Sequence, residues 1–197
     1  IIKNNGTELG GGGIFMESGS PTLSNVTIVS NSSQNIGGGI AIYENCSPVM
    51  NNITVASNFG AHTGEGIFVN PSSSLHMVNT IIWDNDLELL GSIVITYSDI
   101  QGGWEGIGNI DLYPLFVDPD NGGYHLSDYS PCIGAGTLDG TPGADIEGTP
   151  RPNPAGSNPD MGAYEYMGDI LPGDINDDGV INVLDVVALV NIVLTGG

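Results

Sequence analysis

Apolar and polar residues alternate in short stretches over the first half of the chain, and the stretches recur at a fixed interval. Asparagines close similar stretches 27 residues apart, and a second set repeats with the same step six residues earlier. The first set is Asn4, Asn31, Asn58 and Asn85, and the second is Asn25, Asn52 and Asn79. Self-similarity at a period of a few tens of residues is typical of solenoid proteins. The unit contains short strands and turns, so we predict coils of a parallel β-helix stacked about 4.8 Å apart.

Identical amides on successive coils of such a stack lie close enough to hydrogen-bond to one another. We therefore predict that the regularly spaced asparagines form ladders along the solenoid.

Alignment of the coils on the asparagines also brings apolar positions into register. Each coil opens with a glycine-rich turn, followed by a strand of alternating pattern, which indicates one buried face. We expect these positions to stack as aliphatic columns inside about four coils. The matching sets are Leu23, Met50, Met77; Val26, Ile53, Thr80; and Ile28, Val55, Ile82. The turns are Gly11–Gly13, Gly37–Gly39, Gly64–Gly66 and Gly91–Ser92, and their strands carry Ile14/Met16, Ile40/Ile42, Ile67/Val69 and Ile93/Ile95.

The repeat weakens after residue 95, although residues 96–117 keep β-like composition. Residues 134–163 are rich in Gly, Pro and Asp, and we expect irregular chain laid over the solenoid. We predict coils over 1–95, the last coil and a cap over 96–167, and an appendage over 168–197. The first coil begins within the motif, so we interpret the sequence as a processed or truncated fragment.

The charge balance excludes several classes of partner. The 197 residues include 23 acidic residues but only two basic ones, Lys3 and Arg151, for a net charge of -21. Nucleic-acid binding needs basic residues against phosphate, so we exclude it. The charge also disfavours anionic membranes and acidic polysaccharides, and it suits an exterior rich in calcium. No apolar run is long enough to span a membrane.

The two cysteines, Cys46 and Cys132, leave two alternatives open. They form a disulfide, or they are two buried thiols.

Residues 174–185 match the twelve-residue calcium loop of the EF-hand type. Calcium prefers oxygen ligands, and this spacing wraps carboxylate, amide and carbonyl oxygens around one point. Gly179 supplies the sharp turn at position six of the loop. The predicted ligands are Asp174, Asn176, Asp178, the carbonyl of Val180, Asn182 and Asp185.

The segment from Val183 to Leu194 is predicted to form a helix that is apolar on nearly all sides. A helix that is apolar all round is normally buried by other parts of a protein. We expect it to pack on the solenoid, on a missing second half of its own module or on another chain.

The region after the repeat resembles the end of a family of secreted bacterial right-handed parallel β-helix proteins. The resemblance covers about residues 1–167 and implies a right-handed solenoid with a variable C-terminal sorting or anchoring module, mostly without demonstrated catalysis. It rests on Tyr97–Trp104, Asn109–Asp111, Pro114–Pro119, Tyr124–Leu126, Ser130–Gly136 and Asp160–Tyr166.

The calcium loop and following helix resemble one half of a type I dockerin, a module that docks on cohesin domains in cellulose-degrading assemblies. Asp185 stands at position twelve, as in that family. The second loop and the basic helix residues of dockerins are missing from this sequence.

An enzyme of the polysaccharide lyase or hydrolase type would need paired carboxylates or a basic residue in a cleft. The candidate pairs are Asp84 with Asp86 and Glu17 with Glu44, but solvated turn carboxylates explain them better. Neither basic residue is well placed for lyase chemistry, and the three histidines (His62, His76 and His125) stand apart in the repeat. Trp83 and Trp104 suit either sugar stacking or the solenoid core.

We favour a non-enzymatic, calcium-stabilised β-solenoid of the bacterial cell surface. We expect it to associate with itself or another extracellular protein through its C-terminal helix and an open N-terminal coil, forming a fibre or surface layer. The alternative is a carbohydrate-binding or polysaccharide-degrading module tethered by the dockerin-like segment, with a polysaccharide as partner.

Overall fold

The computed structural model describes residues 1–62, 64–168 and 183–195. Within these ranges the chain is all-β apart from one short 3-10 turn, Pro119–Asn121, and one helix, α1, Val183–Thr195. The contacts divide it into two units, Ile1–Tyr166 and Met167–Gly197. The strands of the first unit are β1 Ile2–Lys3, β2 Gly6–Thr7, β3 Ile14–Glu17, β4 Thr22–Val29, β5 Ser32–Ser33, β6 Ile40–Tyr43, β7 Val49–Ala56, β8 Phe59–Gly60, β9 Ile67–Val69, β10 Ser74–Val78, β11 Ile81–Trp83, β12 Leu87–Leu89, β13 Ser92–Thr96, β14 Asp99–Ile100, β15 Phe116–Asp118 and β16 Gly123–Leu126.

Three parallel sheets form the faces of a solenoid, which confirms the predicted fold class. The solenoid has about three coils rather than the four expected. The first face has the order β1–β4–β7–β10–β13, with β11 and β14 continuing it. The second face has the order β12–β9–β6–β3, and the third is β2–β5–β8. The long strands β4 and β7 turn a corner at Asn25 and Asn52, whose φ angles are 53° and 54°. Asparagine tolerates this left-handed conformation better than most residues.

The predicted aliphatic columns are present inside the coils. Leu23 pairs with Met50 and Met50 with Met77, while Ile28 pairs with Val55 and Val55 with Ile82. The members of this core are almost fully buried; they include Ile28, Ile40, Ile42, Met50, Ile53, Val55, Ile67, Leu75, Met77, Ile82 and Ile95. Burial of apolar side chains on every coil is the main stabilising term of such a stack.

The fourth glycine turn was predicted in the wrong place. Leu87–Leu89, not Ile93–Ile95, continues the column of Ile67–Val69. The segment Ile93–Ile95 stacks instead on Leu75–Met77, a step of only 18 residues. The chain omits the glycine turn in this coil and passes directly from Asn85 into a strand, so the coil is shorter than its predecessors.

The asparagine ladder is present, but the first residue assigned to it is wrong. Asn5, not Asn4, donates its side-chain amide to Asn31 Oδ1 at 3.0 Å. Asn31 donates to Asn58 Oδ1 at 3.1 Å, and Asn58 donates to Asn85 Oδ1 at the same distance. The first step is 26 residues, as the pairing of Ile2 with Ile28 also shows, so a fixed step of 27 misses the ladder by one position.

The second asparagine set forms no ladder of its own. Its amides point outward and bind the segment that follows the coils, residues 112–166, which we call the cap segment. Asn25 Nδ2 donates to the carbonyl of Ala144 at 2.7 Å, and Asn52 Nδ2 donates to that of Asp160 at 3.1 Å. Asn79 donates to the carbonyl of Thr137 at 2.8 Å and accepts from its N–H at 2.8 Å. These residues hold the cap segment on the solenoid because a left-handed corner projects each amide outward.

A second hydrophobic cluster lies between the solenoid and the cap segment. The outer-face residues Val29, Ala56 and Ile81 pack there against residues of the cap segment. The antiparallel hairpin β15–β16 supplies part of this cover. The buried cap residues are Phe116, Tyr124, Leu126, Cys132, Met161, Ala163 and Tyr164.

Helix α1 forms in the second unit, where the apolar sequence predicted a helix. Its described apolar side chains are exposed, with Val183 at 71% and Leu194 at 76%. Among the described helices, none has the length and apolar character to cross a bilayer.

Candidate functional site: an aromatic cleft between the solenoid and the cap segment

A cleft of about 250 Å³ lies where the end of β11 meets the cap segment. Trp83 and Tyr113 contact each other edge to face, with ring centroids 5.8 Å apart and planes at 68°. Phe116 and Tyr124, both nearly buried, form a second edge-to-face pair at 5.1 Å. The complete lining is Ala56, Ser57, Trp83, Asp84, Tyr113, Phe116, Pro119, Asp120 and Tyr124.

Two exposed carboxylates, Asp84 and Asp120, belong to this lining. Asp84 is held in place, because its Oδ2 accepts from Ser57 Oγ at 3.0 Å and its N–H donates to Gln101 Oε1 at 2.6 Å. An aromatic surface beside fixed carboxylates attracts groups that are apolar and either hydrogen-bonding or positively charged.

Two open depressions extend from the same edge of the solenoid. One, of about 360 Å³, shares Asp84 with the cleft and also involves Asp86 and Glu65. The other, of about 300 Å³, shares Asp86 and includes His62. The predicted pair of Asp84 and Asp86 therefore lines one depression, with both side chains exposed to solvent.

The second candidate carboxylate pair is also brought together. Glu17 and Glu44 lie side by side on the exposed face of successive coils. A hydrogen bond with Glu44, together with charge repulsion from it, raises the pKa of Glu17. This arrangement follows from the stacking of like residues and lies outside the three depressions.

The predicted histidines remain apart from one another. His62 and His76 are exposed, and only His62 lines a depression. The His125 ring packs against the ring of Tyr164, with the ring centroids 4.0 Å apart and the planes at 36°. Its Nε2 lies 3.0 Å from Glu147 Oε2. The two tryptophans divide between the alternatives: Trp104 packs against the inner core, whereas Trp83 lines the cleft.

Arg151 is buried beside Glu165, although its proline-rich sequence surroundings indicate only irregular chain. Its Nε lies 3.2 Å from Glu165 Oε2, at ion-pair distance but outside hydrogen-bond geometry, and both side chains are fully buried. Nη1 donates to the carbonyls of Asp160 and Gly162 at 3.3 and 3.1 Å. Burial lowers the pKa of Arg151 and raises the pKa of Glu165 to about 7.

The carboxylates around Arg151 fasten turns of the cap segment. Asp160 accepts from the N–H groups of Gly134 and Tyr166 at 2.7 and 2.6 Å. Asp145 accepts from Glu147, Thr149 and Glu165 N–H groups. These carboxylates are therefore engaged in backbone bonds, whereas Nη2 of Arg151 is buried without a hydrogen-bond partner among the described residues.

The two cysteines are free and buried in the described structure. Cys132 donates through its thiol to Asp99 Oδ2 at 3.2 Å, while Asp99 Oδ1 accepts from the N–H of Leu112 at 3.1 Å. Burial raises the pKa of Asp99 to about 6 and also raises the pKa of the Cys132 thiol. This contact ties the last coil to the cap segment.

The predicted calcium ligands lie outside the part of the chain that the structure describes. Asp174, Asn176, Asp178, Val180 and Asn182 fall in the range 169–182, and the side chain of Asp185 is likewise not described. In the described remainder, no group of three or more His, Cys, Asp or Glu residues is placed to hold a metal ion.

The sequence predicts only part of the cleft. Its patterns mark Asp84 and Trp83 as separate candidates, whereas Tyr113, Phe116, Asp120 and Tyr124 fall in the range predicted to form the last coil and cap. One signal was available. On the column Lys3–Val29–Ala56–Trp83 the outward position changes to a large aromatic residue, and the next residue changes from Ser30 and Ser57 to Asp84.

Comparison with known proteins gives one family. The family model described as "Right handed beta helix region" matches residues 1–109. Comparisons with curated proteins and with solved structures found no match. The matched range contains the coils and Trp83 but ends before Tyr113 and the other cap residues that line the cleft.

Proposed function

This chain belongs to the right-handed β-helix family, and we propose that it serves as a non-enzymatic scaffold of the bacterial cell surface. The observation that carries the proposal is the use of the polar repeat positions. The asparagines bind other coils or the cap segment, and the buried ions bind the cap backbone. Because these polar side chains are used in hydrogen bonds within the solenoid and cap segment, they favour a rigid spacer over a catalyst.

The placement of charged groups supports the non-enzymatic part of the proposal. The candidate acid pairs are exposed at the surface, where neither carboxyl is held in a water-excluded pocket. Arg151, one of the two basic residues, is buried in an ion pair. A lyase needs an accessible base or cation beside its substrate. The described residues of the three depressions include neither lysine nor arginine, and their one histidine, His62, lies in an open depression.

We further propose that calcium bound at residues 174–185 stabilises the second unit, and that α1 mediates association with a second copy or another extracellular protein. The loop sequence supports the first step. The exposed apolar side chains of α1 support the second, because contiguous apolar surface favours protein contacts.

Sedimentation of the full chain with calcium tests the association. We expect species larger than a monomer that grow with protein concentration, and electron microscopy should then show joined particles. Monomers at every concentration would contradict the self-association. The matched variant is Val187→Asp, which places a charge on α1 and should restore the monomer.

Sugar release from a panel of neutral and acidic polysaccharides tests the other alternative, a degrading module. We expect no product above the level given by heat-treated protein. Reproducible release that Asp84→Asn or Asp86→Asn abolishes would overturn the non-enzymatic proposal.

A further inference from the structure

The aromatic cleft departs from the structural logic of the coils that build it. In the earlier coils the outward column carries Val29 and Ala56, which the cap segment covers. The next coil places Trp83 on this column and Asp84 at the following position, where the earlier coils carry Ser30 and Ser57. The cap segment brings Tyr113 and Asp120 to the same cleft. Part of the Trp83 indole packs against the cluster between the solenoid and the cap segment, and the rest lines the cleft beside the exposed, fixed carboxylate of Asp84. Packing alone does not require that carboxylate.

Four aromatic rings line the cleft. Trp83 and Tyr113 meet edge to face with their planes at 68°, and the nearly buried rings of Phe116 and Tyr124 complete the set. The faces of aromatic rings carry negative charge density and attract cations that approach them. Two rings at a steep angle to each other suit a rounded cationic group better than a flat sugar ring, which stacks on one broad face.

The charge of the cleft also favours a cationic ligand. Asp84 and Asp120 line the cleft, and its described lining contains no lysine, arginine or histidine. The ammonium of Lys3 lies near Gly122 but does not belong to the lining. With a net charge of -21, the whole chain also attracts cations over a distance set by ionic strength.

The volume of the cleft limits the size of its ligand. Its volume of about 250 Å³ falls just below the roughly 300–1,000 Å³ typical of sites for drug-sized ligands. A single head group fits that space better than several linked sugars do.

We propose that this cleft binds an alkylated ammonium group, with Trp83 and Tyr113 against its methyl groups and Asp84 and Asp120 balancing its charge. The group belongs either to a small molecule or to a substituent on a larger surface ligand, since the chemistry is the same. This site is independent of the scaffold role and of calcium.

Titration of the full chain with choline, tetramethylammonium and a trimethyllysine peptide tests the proposal. Binding should be followed by calorimetry and by tryptophan fluorescence, because Trp83 lines the site. We expect saturable binding with one site per chain that weakens as salt rises. Stronger binding of the peptide would assign a larger ligand, and stronger binding of choline a free one.

Variants separate the site from diffuse charge attraction. Tyr113→Leu should weaken binding about fivefold or more by removing one ring face, whereas Tyr113→Phe should stay within about twofold. Asp120→Asn should weaken it severalfold, while Asp139→Asn, at an exposed aspartate outside the cleft, should leave it unchanged. Circular dichroism and the unfolding midpoint of each variant show whether the fold is retained.

Three outcomes overturn the proposal. The first is no saturable binding of any ammonium probe at millimolar concentration. The second is equal affinity of the wild type and Tyr113→Leu when both are folded, which would indicate attraction by surface charge alone. The third is binding of a neutral glucose oligomer, lost in Tyr113→Leu, without binding of ammonium probes, which would assign the cleft to sugars.

Discussion

Asparagine does two different jobs in this protein, and backbone geometry decides which. In the first set the side chain lies inside the coil and bonds to the next amide along the axis. In the second set the residue sits in a left-handed corner, so its amide leaves the coil and reaches the cap segment. The same side chain thus supports stacking at one position and anchors a separate segment at another.

The inner ladder is expected to contribute strongly to stability at Asn58. This residue is 3% exposed, accepts two hydrogen bonds from Asn31 and donates to Ile28, Ala56 and Asn85. Asn58→Ala leaves several buried groups without partners and should lower the free energy of unfolding by about 3 kcal/mol. Urea denaturation followed by circular dichroism measures the change.

Asn35→Ala is the control, since Asn35 is exposed and no side-chain bond depends on it. We expect a change within about 0.5 kcal/mol there. Equal losses for the two variants would mean that the ladder does not contribute as the structure indicates.

The buried carboxyls of Glu165 and Asp160 in the cap segment and of Asp99 in β14 predict that the fold is more stable in mild acid than in mild base. Burial raises the folded-state pKa of Glu165 from 4.5 to about 7 and that of Asp99 from 3.8 to about 6, and it also raises that of Asp160. Between the unfolded and folded values the native state binds more protons, so stability falls as pH rises from about 4.5 to 7. Over this range Glu165 is expected to lower the free energy of unfolding by an amount on the order of 3 kcal/mol.

Urea midpoints measured from pH 4.5 to 8 check this direction. Acidification also reduces repulsion among the surface carboxylates, so the wild-type slope contains both effects. Glu165→Gln cannot ionise, and although it is less stable overall, its profile should be flatter by the Glu165 contribution. Parallel profiles for the two proteins would show that Glu165 titrates as an ordinary carboxyl group.

At the scale of the element, the coils shorten toward the cap segment. Ile28 and Val55 are 27 residues apart, Leu75 and Ile93 are 18 apart, and Asp99 and Ile110 are 11 apart. Within the described residues, the coil of β11 and β12 has neither a glycine turn nor a strand equivalent to β2, β5 and β8, so it keeps strands on only two of the three faces.

This shortening explains how far the sequence could predict the fold. The period revealed the solenoid, the inner columns and the ladder from Asn31 to Asn85 because those coils keep a common length. It failed at Asn4 and at Ile93–Ile95, where a coil is one residue or nine residues shorter. A method that assumes equal spacing cannot detect a deletion in a turn.

The cleft escaped prediction for a related reason. Its residues come from the third coil and from the cap segment, and no local pattern connects Trp83 with Tyr113 or Asp84 with Asp120. Contacts between distant segments of irregular chain depend on tertiary packing. Likewise, the burial of Arg151 depends on Glu165 and on carbonyls supplied by later turns.

The glycine turns give a prediction at this scale. A Cβ at Gly38 would lie 2.3 Å from the carbonyl oxygen of Phe59 and 2.6 Å from that of Glu65, although its φ is not in the left-handed region. Glycine is needed here because backbone of the next coil approaches closely. Gly38→Ala should therefore lower the free energy of unfolding by about 3 kcal/mol.

Gly143→Ala is the matched control, because nothing lies within 4 Å of its added Cβ and its φ is ordinary. It should leave the urea midpoint unchanged or slightly raised, since alanine restricts the unfolded chain. A stable Gly38→Ala protein would show that the coils can separate locally at little cost.

At the scale of the whole molecule, net charge determines which ions and ligands the protein attracts. A chain with 23 acidic and two basic residues repels anions and gathers divalent cations. General attraction of this kind is weak and screened by salt, whereas a wrapped loop of oxygen ligands binds one ion tightly. The two kinds of calcium binding can therefore be separated by experiment.

We predict one tight calcium site per chain, formed by residues 174–185, above a background of weak surface binding. Calorimetric titration in about 150 mM salt suppresses the surface term, because exposed charges are then screened beyond about 8 Å. Asp178→Ala removes the ligand at position five of the loop and should abolish the tight phase. Asp139→Asn removes one charge elsewhere and should leave that phase intact. A tight phase that persists in Asp178→Ala would place calcium at another site, and the absence of a tight phase in the wild type would make the loop an ordinary acidic turn.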